Sequence, residues 1–418
     1  MASMQVAHIL RKYNPAEWGG TETAVQRLCD GLRAHDVRSL AFCPQLESDV
    51  LDDPLTRSGH RVKRFNACVP VWGISEQNRR AMVAVGGNLL SFDLMWDLWR
   101  EPRVDLVHIH TGNRLGGIGL TVSRWRGIPV VAQVHGGALD LPAAAREALD
   151  APRRGGVEWG RLFGAPLRSR RVLECVDAVI VCNNTEAELL RQKYPQQRVL
   201  VQPHGVPAHE YERDHRADAR RAFPQIAGRP MFLMAGRIDK VKNQHWAVAQ
   251  FAEIARRHPQ ALLVVAGSVT DAPYAQLLDQ TIGELGLGKN ILLTGPLPSG
   301  DPRLVGLFQE ARALILPSLS ETFGLVILEA WASGAPVISS RTSGALGLVK
   351  EGENGWLFDV AAPDGLRRAM CAALAAPETA RRMGEAGRRL VKTDYDTVAL
   401  AGRVKRLYDD LIRAKVQR

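Results

Sequence analysis

MFLMAGRIDKVKNQ, residues 231–244, reads as one strand, one turn and the start of one helix. The run 231–235 is apolar throughout, as a strand covered on both faces must be. Gly236 then permits close approach of the backbone, and Arg237 and Lys242 carry two cations into the loop and the helix start. Strands that alternate with helices in this way build βαβ units and a largely parallel sheet.

The same alternation runs outward in both directions. On the carboxyl side, strands are expected near residues 262–266, 291–294, 313–316 and 337–339. On the amino side they are expected at 6–10, 38–42, 106–110, 130–134, 178–181 and 199–201, with helices at 22–33, 78–99 and 186–193. Two doubly wound α/β domains are the simplest reading of a chain of 418 residues. The expected division is a first domain at 1–206, a polar linker at 207–229, a second domain at 230–393, and a carboxyl-terminal helix at 394–418 that packs back toward the first domain.

The hydrophobic fraction of 46% with 23% charged residues is that of a chain able to bury large cores. No apolar stretch reaches the roughly 20 residues that span a bilayer, and the opening MASMQVAHILRKY lacks a signal-peptide pattern, so a cytoplasmic location is expected. The six cysteines have no zinc-site spacing and read as reduced thiols. The net charge of +10 comes from basic residues interleaved with acidic ones, without a nucleic-acid motif. Anionic phosphates on a small substrate, or an anionic membrane, use such charge equally well.

SETFGLVILEA, residues 320–330, follows the apolar run ALILPS and places Glu321 and Glu329 eight apart. Phe323, Gly324 and Leu325 are read as opening a helix there, whose N–H groups and positive end suit a phosphate. A carboxylate such as Glu329 suits the two hydroxyls of a ribose, and Arg237 with Lys242 suits a diphosphate leaving group. Either glutamate or either cation alone reads equally as surface charge; the four together at strand ends do not.

These two motifs resemble family 4 of the glycosyltransferases, and the resemblance extends over essentially the whole chain. It implies the GT-B fold, two Rossmann-like domains facing a central cleft. It also implies a retaining, metal-independent enzyme that moves a sugar from a nucleoside diphosphate carrier to a saccharide or lipid-linked acceptor, in cell-surface polysaccharide or glycolipid synthesis. By position, Arg237 and Lys242 would hold the sugar donor's diphosphate, Glu321 would meet the transferred sugar, and Glu329 the ribose. Gly19 and Gly20 in WGGTE correspond to the family's glycine-rich loop, and His135 in QVHGG to a histidine facing the transferred sugar. His204 in PHGV stands where many members carry Asn. No cofactor and no metal are implied, and UDP-glucose, UDP-N-acetylglucosamine and GDP-mannose fit the motifs equally. An epimerase of the same fold acting on nucleotide sugars, and a nonenzymatic protein that binds them, remain the alternatives.

Three further features lie outside these motifs. His108 and His110 share one strand face, but the neighbouring sequence offers no third metal ligand. GELGLGKN, residues 283–290, nearly spells a P-loop, yet it follows a helix and lacks the Ser/Thr for magnesium. Arg153, Arg154, Arg161, Arg168, Arg170 and Arg171 crowd a segment with Val157, Trp159, Leu162 and Phe163, and one acid, Glu158. That segment reads either as a solvated basic face or as a surface for peripheral association with an anionic membrane.

Overall fold

The apolar runs assemble into two parallel sheets. The computed structural model describes residues 3–12, 19–45, 53–84, 88–136, 155–362 and 364–417. The chain divides into two units, one of Met1–Pro203 with Val398–Arg418 and the other of His204–Thr397.

In the first unit the strands are β1 (Met4–Ile9), β2 (Val37–Pro44), β3 (Arg61–Phe65), β4 (Leu106–Ile109), β5 (Val130–Gln133), β6 (Ala178–Val181) and β7 (Val199–Val201). They form a 7-stranded sheet in the order β3-β2-β1-β4-β5-β6-β7, with every neighbouring pair parallel. The second unit contains β8 (Met231–Ala235), β9 (Leu262–Ala266), β10 (Ile291–Gly295), β11 (Ala311–Leu316), β12 (Val337–Ser340) and β13 (Gly355–Phe358). Its 6-stranded parallel sheet runs β10-β9-β8-β11-β12-β13. In each unit the chain winds outward from its first strand and then restarts on that strand's other side. The order therefore reverses between β1 and β4, and again between β8 and β11, which opens a crevice at the carboxyl ends of those strands.

Burial explains why these segments are strands. All four residues of β6 and all five of β9 are buried, as helices on both faces require. Several helix starts are set by side-chain caps: Ser91 Oγ accepts from Leu94 N at 3.0 Å, Asn183 Oδ1 from Glu186 N at 2.8 Å and Asp271 Oδ1 from Tyr274 N at 3.1 Å. The helix Asn113–Arg126 stops at Gly127, whose φ of 66° is left-handed.

The helix Thr397–Val416 lays Ala401, Val404, Leu407, Tyr408 and Leu411 against Val6, Leu32, Val37, Leu106 and Ile180 of the first unit. Those positions recur at helical spacing and make one apolar stripe. Arg198 to Asp410 (2.9 Å) and Lys415 to Asp177 (3.3 Å) flank it.

The structure differs from the sequence reading in several places. The stretch expected as a linker folds within the second unit as Ala208–Tyr211, Arg216–Ala222 and Pro224–Ile226, and the division between units falls at Pro203. Ala208, Tyr211, Ala219 and Ile226 are the buried apolar anchors, too few to show a period in so polar a stretch. The single helix expected at 78–99 is two, Glu76–Ala84 and Phe92–Arg100, the second restarted by the Ser91 cap. The edge strand β3, RVKRF, escaped notice because charged residues protect it as an edge. β13 was likewise missed; it is short and also lies at an edge.

Candidate functional site

Beyond the end of β8, Gly236 adopts φ 147°, and its carbonyl oxygen lies 1.9 Å from where a Cβ on Gly267 would sit. Only glycine at 267 allows the loops after β8 and β9 to meet so closely. The loop after β8 is also tied to the loop after β11. Asn243, at φ 59°, donates from Nδ2 to Pro317 O at 3.2 Å, and Leu319 N donates to Val241 O at 2.8 Å. Both crossings lie where the strand order reverses.

Two ion pairs occupy this junction. Lys242 Nζ donates to Glu321 Oε2 at 2.5 Å, with both side chains largely buried. Arg237 Nη2 lies 3.2 Å from Asp239 Oδ2, and Asp239 Oδ1 also accepts from Lys242 N at 3.0 Å. The backbone of Arg237 is pinned by buried Gln244, whose Nε2 donates to Arg237 O at 2.7 Å.

Glu321 precedes the helix. Its carbonyl accepts from Gly344 N at 2.8 Å and from Ser343 Oγ at 3.2 Å, so the start of the helix Ser343–Leu348, which follows β12, grips the backbone of this residue. A Cβ on Gly344 would fall 2.7 Å from Phe323 N, which excludes other residues there. The helix itself is Leu325–Ala332, with Gly324 as N-cap at φ 88° and no side-chain cap bond. Phe323 and Gly324 thus lead into the helix instead of opening it. Helix geometry leaves the first-turn N–H groups without intrahelical acceptors, and the dipole adds positive potential at that end.

Glu329 is the fifth residue of this helix and is buried. Its Oε1 accepts from Ser299 Oγ at 2.7 Å, and Ser299 Oγ is 3.3 Å from Tyr211 OH. The two glutamates therefore hold different partners, a cation and a hydroxyl. Phe323 is buried edge-on against His204, ring centroids 5.0 Å apart.

The remaining sequence candidates lie in the first unit. Gly19 caps the helix Gly20–Arg33, and its carbonyl accepts from both N and Oγ1 of Thr23, at 3.1 and 3.0 Å. Residues 13–18, which lead into it, lie outside the described residues, as do Arg153 and Arg154. His135 follows β5 and joins a row of imidazoles. His135 Nε2 is 2.9 Å from His110 Nδ1, and His110 Nε2 is 3.0 Å from His8 Nδ1. His108 Nδ1 is 2.6 Å from Tyr408 OH. Burial pushes the His8 imidazolium pKa down to about 3 and that of His108 well below its usual value, so both rings are neutral in the folded chain. The neighbouring sequence offers His108 and His110 no third imidazole; the fold supplies it from β1, with ring nitrogens of His8, His108 and His110 within 4.8 Å of one another.

His8, Ser299 and Gly344 were not anticipated. Gly344 lies in the first turn of the short helix Ser343–Leu348, and the signal available for it was the Thr342 cap in SRTSGA. His8 and Ser299 reach their partners only through sheet pairing and loop packing, which sequence spacing does not report.

Comparison with known proteins bears on both units. The model for glycosyl transferases group 1 matches residues 216–390, and that for the glycosyl transferase 4-like domain matches residues 19–205. The chain is 31% identical over 287 residues to the D-inositol 3-phosphate glycosyltransferase of Nocardia farcinica, an alignment covering 67% of this chain and 61% of that protein. It thus spans only part of the length of that relative. It is 26% identical over 432 residues to the glycogen synthase of Mycobacterium tuberculosis, covering 97% of this chain and 94% of that protein. The fold is similar to that of Anabaena HepE crystallised with UDP-glucose, at a TM-score of 0.72 and 17% identity over 97% of this chain and 100% of that one.

Proposed function

We propose that this chain, which belongs to the family 4-like glycosyltransferases of the GT-B fold, transfers a sugar from a UDP- or GDP-linked donor to a saccharide or lipid-linked acceptor with retention of configuration. The observation that carries the proposal is the ion pair of Lys242 with Glu321 at the strand-order reversal between β8 and β11, with Arg237 beside it.

In this reading both cations wait on carboxylates of the chain itself. An arriving diphosphate takes up Lys242 and Arg237 and frees Glu321 for hydroxyls of the transferred sugar. First-turn N–H groups of Leu325–Ala332 add to the anion site, and Glu329 turns from Ser299 toward the ribose. Negative charge on the leaving diphosphate grows as the glycosidic bond breaks, so fixed cations stabilise the transition state more than the ground state. The leaving phosphate accepts the acceptor's proton on the same face, and no enzymatic nucleophile is required. Two cations then do what a divalent ion does elsewhere, which makes activity metal-independent.

Incubation with UDP-glucose, UDP-N-acetylglucosamine or GDP-mannose, with a phosphorylated cyclitol and a glucan as first acceptors, tests the proposal. The expected result is an acceptor-dependent product of retained anomeric configuration, formed equally in excess chelator. A donor sugar altered without any acceptor would point instead to an epimerase, and activity restored only by manganese would remove the metal-free clamp.

A second part of the proposal concerns location: the first unit docks peripherally on an anionic membrane. Its support is a band of aromatic rings at the surface, exposed at Trp72, Phe92, Trp96, Trp99 and Trp125 and half-buried against the core at Trp159 and Phe163. Trp72 and Val157 are joined by a two-way backbone bridge, N to O at 2.9 Å each way, and both side chains project outward. Trp72 continues through Trp159 (6.1 Å between centroids) and Phe163 (6.2 Å) to Phe92 (5.6 Å). Phe92, Trp96 and Trp99 then line one face of the helix Phe92–Arg100, and Trp99 meets Trp125 at 6.0 Å. Leu162 stands 79% exposed beside this band, with Arg161, Arg168 and Arg170 also exposed. Among the described residues no helix is long and apolar enough to cross a membrane. Aromatic rings with basic neighbours suit the headgroup region of an anionic bilayer, whereas pairing two such faces in a dimer would set arginines against arginines. Co-sedimentation with anionic but not neutral vesicles, weakened by salt and by Leu162→Asp, is the expected result; binding that ignores lipid charge would refute it.

A further inference from the structure

We propose that the second unit carries a separate binding site for a phosphorylated sugar or polyol, in an arginine-walled cavity at the amino-terminal edge of its sheet. The cavity shares no residue with the junction of Lys242 and Glu321, so the site stands whatever reaction that junction performs.

The cavity has a volume of about 600 Å³ and lies among Arg216, Arg220, Arg229, Arg312, His258 and Glu310. Its place follows from the topology. Arg229 stands two residues before β8, Arg312 is the second residue of β11, and His258 caps the end of the helix Gln244–Arg257 ahead of β9. The strands are parallel, so these residues share the edge opposite the crevice. The length of β8 separates the two edges by about 17 Å, at roughly 3.3 Å per residue. A ligand of sugar-phosphate size cannot reach both.

The charge of the wall is one-sided. Among the described lining residues four guanidiniums meet one carboxylate, Glu310, whose Oε1 lies 2.6 Å from Arg220 Nη2. Arg216 is half exposed, 3.4 Å from Asp214 Oδ2, and donates from Nε to Gln309 O at 3.4 Å. Arg229 is fixed by the carbonyls of Gln260 (2.9 Å), Ala261 (3.2 Å) and Lys289 (3.0 Å). Arg312 and His258 are exposed, and neither side chain has a hydrogen-bond or ion-pair partner among the described residues. Like charges crowded in this way repel, and an entering anion relieves the repulsion. The cations are all arginines, whose planar fork takes two phosphate oxygens at once. The wall is also held in place: Gln309 Nε2 donates to Tyr211 O and Arg213 O, and its Oε1 accepts from His215 N at 2.8 Å, which fixes the start of the helix Arg216–Ala222.

The opposite wall sets the rest of the ligand. Leu374 and Ala375 end the helix Asp364–Ala375, whose last-turn carbonyls lie beyond the intrahelical ladder. Those oxygens repel an anion but accept from hydroxyl groups. The volume suits a small organic molecule better than a lone phosphate ion. Phosphate on the guanidiniums and hydroxyls on the carbonyl side describe a phosphorylated sugar or polyol.

Calorimetric titration of the full chain with glucose 6-phosphate, an inositol monophosphate, inorganic phosphate and uncharged glucose tests the site. Saturable binding of at least one of the two esters is expected, with a Kd below roughly 1 mM, in the wild type and equally in Arg237→Ala/Lys242→Ala. Arg220→Gln/Arg312→Gln should weaken it at least about tenfold, with melting unchanged because both side chains are exposed, and Arg312→Lys should keep only part of the affinity. Should the double variant fail to fold, Arg312→Gln alone decides. Binding that survives loss of Arg220 and Arg312 but not of Arg237 and Lys242 would put the phosphate in the crevice and overturn the proposal, as would no saturable binding of either ester. Inorganic phosphate binding as tightly as the esters would overturn the assignment to a sugar or polyol.

Discussion

The two sheets share one winding, yet their crevices carry opposite chemistry. Between β8 and β11 the chain sets ion pairs, Lys242 on Glu321 and Arg237 on Asp239. Between β1 and β4 it sets a row of imidazoles, of which burial keeps His8 and His108 neutral, with His110 N bonded to Ile9 O at 2.9 Å at the strand ends themselves. Topology supplies the crevice twice; the side chains decide whether it handles charge or protons. A charged crevice suits a diphosphate, and a neutral one suits hydroxyl groups of a sugar.

The largest expected effect lies in the charged crevice. Lys242→Ala should lower kcat by roughly a hundred- to a thousandfold with a smaller change in KM, because one preorganised charge partner is removed. Arg237→Ala should behave alike, and the double variant should fall short of the product of the two losses if both serve one diphosphate. Near-normal turnover in Lys242→Ala, measured with saturating acceptor, would reduce the pair to surface charge. Removing the carboxylate instead should separate binding from rate. Glu321→Gln should lower turnover while nucleoside diphosphate binds at least as tightly as to the wild type, because Lys242 is released from competition. Weaker nucleotide binding in calorimetry would contradict the exchange of partners proposed for this lysine.

Glu329→Gln should weaken nucleotide binding by roughly 1 to 3 kcal/mol while the fold survives, since the amide oxygen can still accept from Ser299. Unchanged affinity would exclude the ribose role. A last effect separates the crevices by acidity. His8 has a folded-state pKa depressed to about 3, so the unfolded chain binds the extra proton as pH falls below about 6.5. Its contribution is intact above that pH and is lost progressively toward pH 3, roughly 2 kcal/mol of it by pH 5. His108 shifts in the same direction. Hydrogen exchange between pH 7 and 5 should therefore show protection falling first in the first unit; simultaneous loss in both units would break the comparison.

Sequence made the sheets legible because period and burial are local. The run 262–266 is a strand on composition alone, and β9 spans it residue for residue. The motif around Gly236 was legible for the same reason, since a strand, a turn and two cations follow one another directly. Partners were not. Nothing in the sequence near Lys242 says that its ammonium rests on Glu321, or that Ser299 faces Glu329, because both contacts depend on how loops from separate strands close. The imidazole row failed for the same reason. His108 and His110 stood out by alternation, but His8 reaches them only through the pairing of β1 with β4. Edge strands failed differently: the charges of β3 that discourage edge-to-edge association also erase the apolar signal.

The return of the helix Thr397–Val416 to the first unit has a consequence for how the chain is made. Residues His204–Thr397 are contiguous, so the second unit is complete in the nascent chain before the first, which waits for residues beyond 398. Domains fold as units as they emerge during synthesis. The earlier-made unit therefore finishes later, and Ala401, Val404 and Leu407 close a surface that has stood open throughout translation of the intervening segment. His108 meets the hydroxyl of Tyr408 only at that last step. Ribosome stalling at successive lengths would reveal a second unit that resists protease well before the first one does.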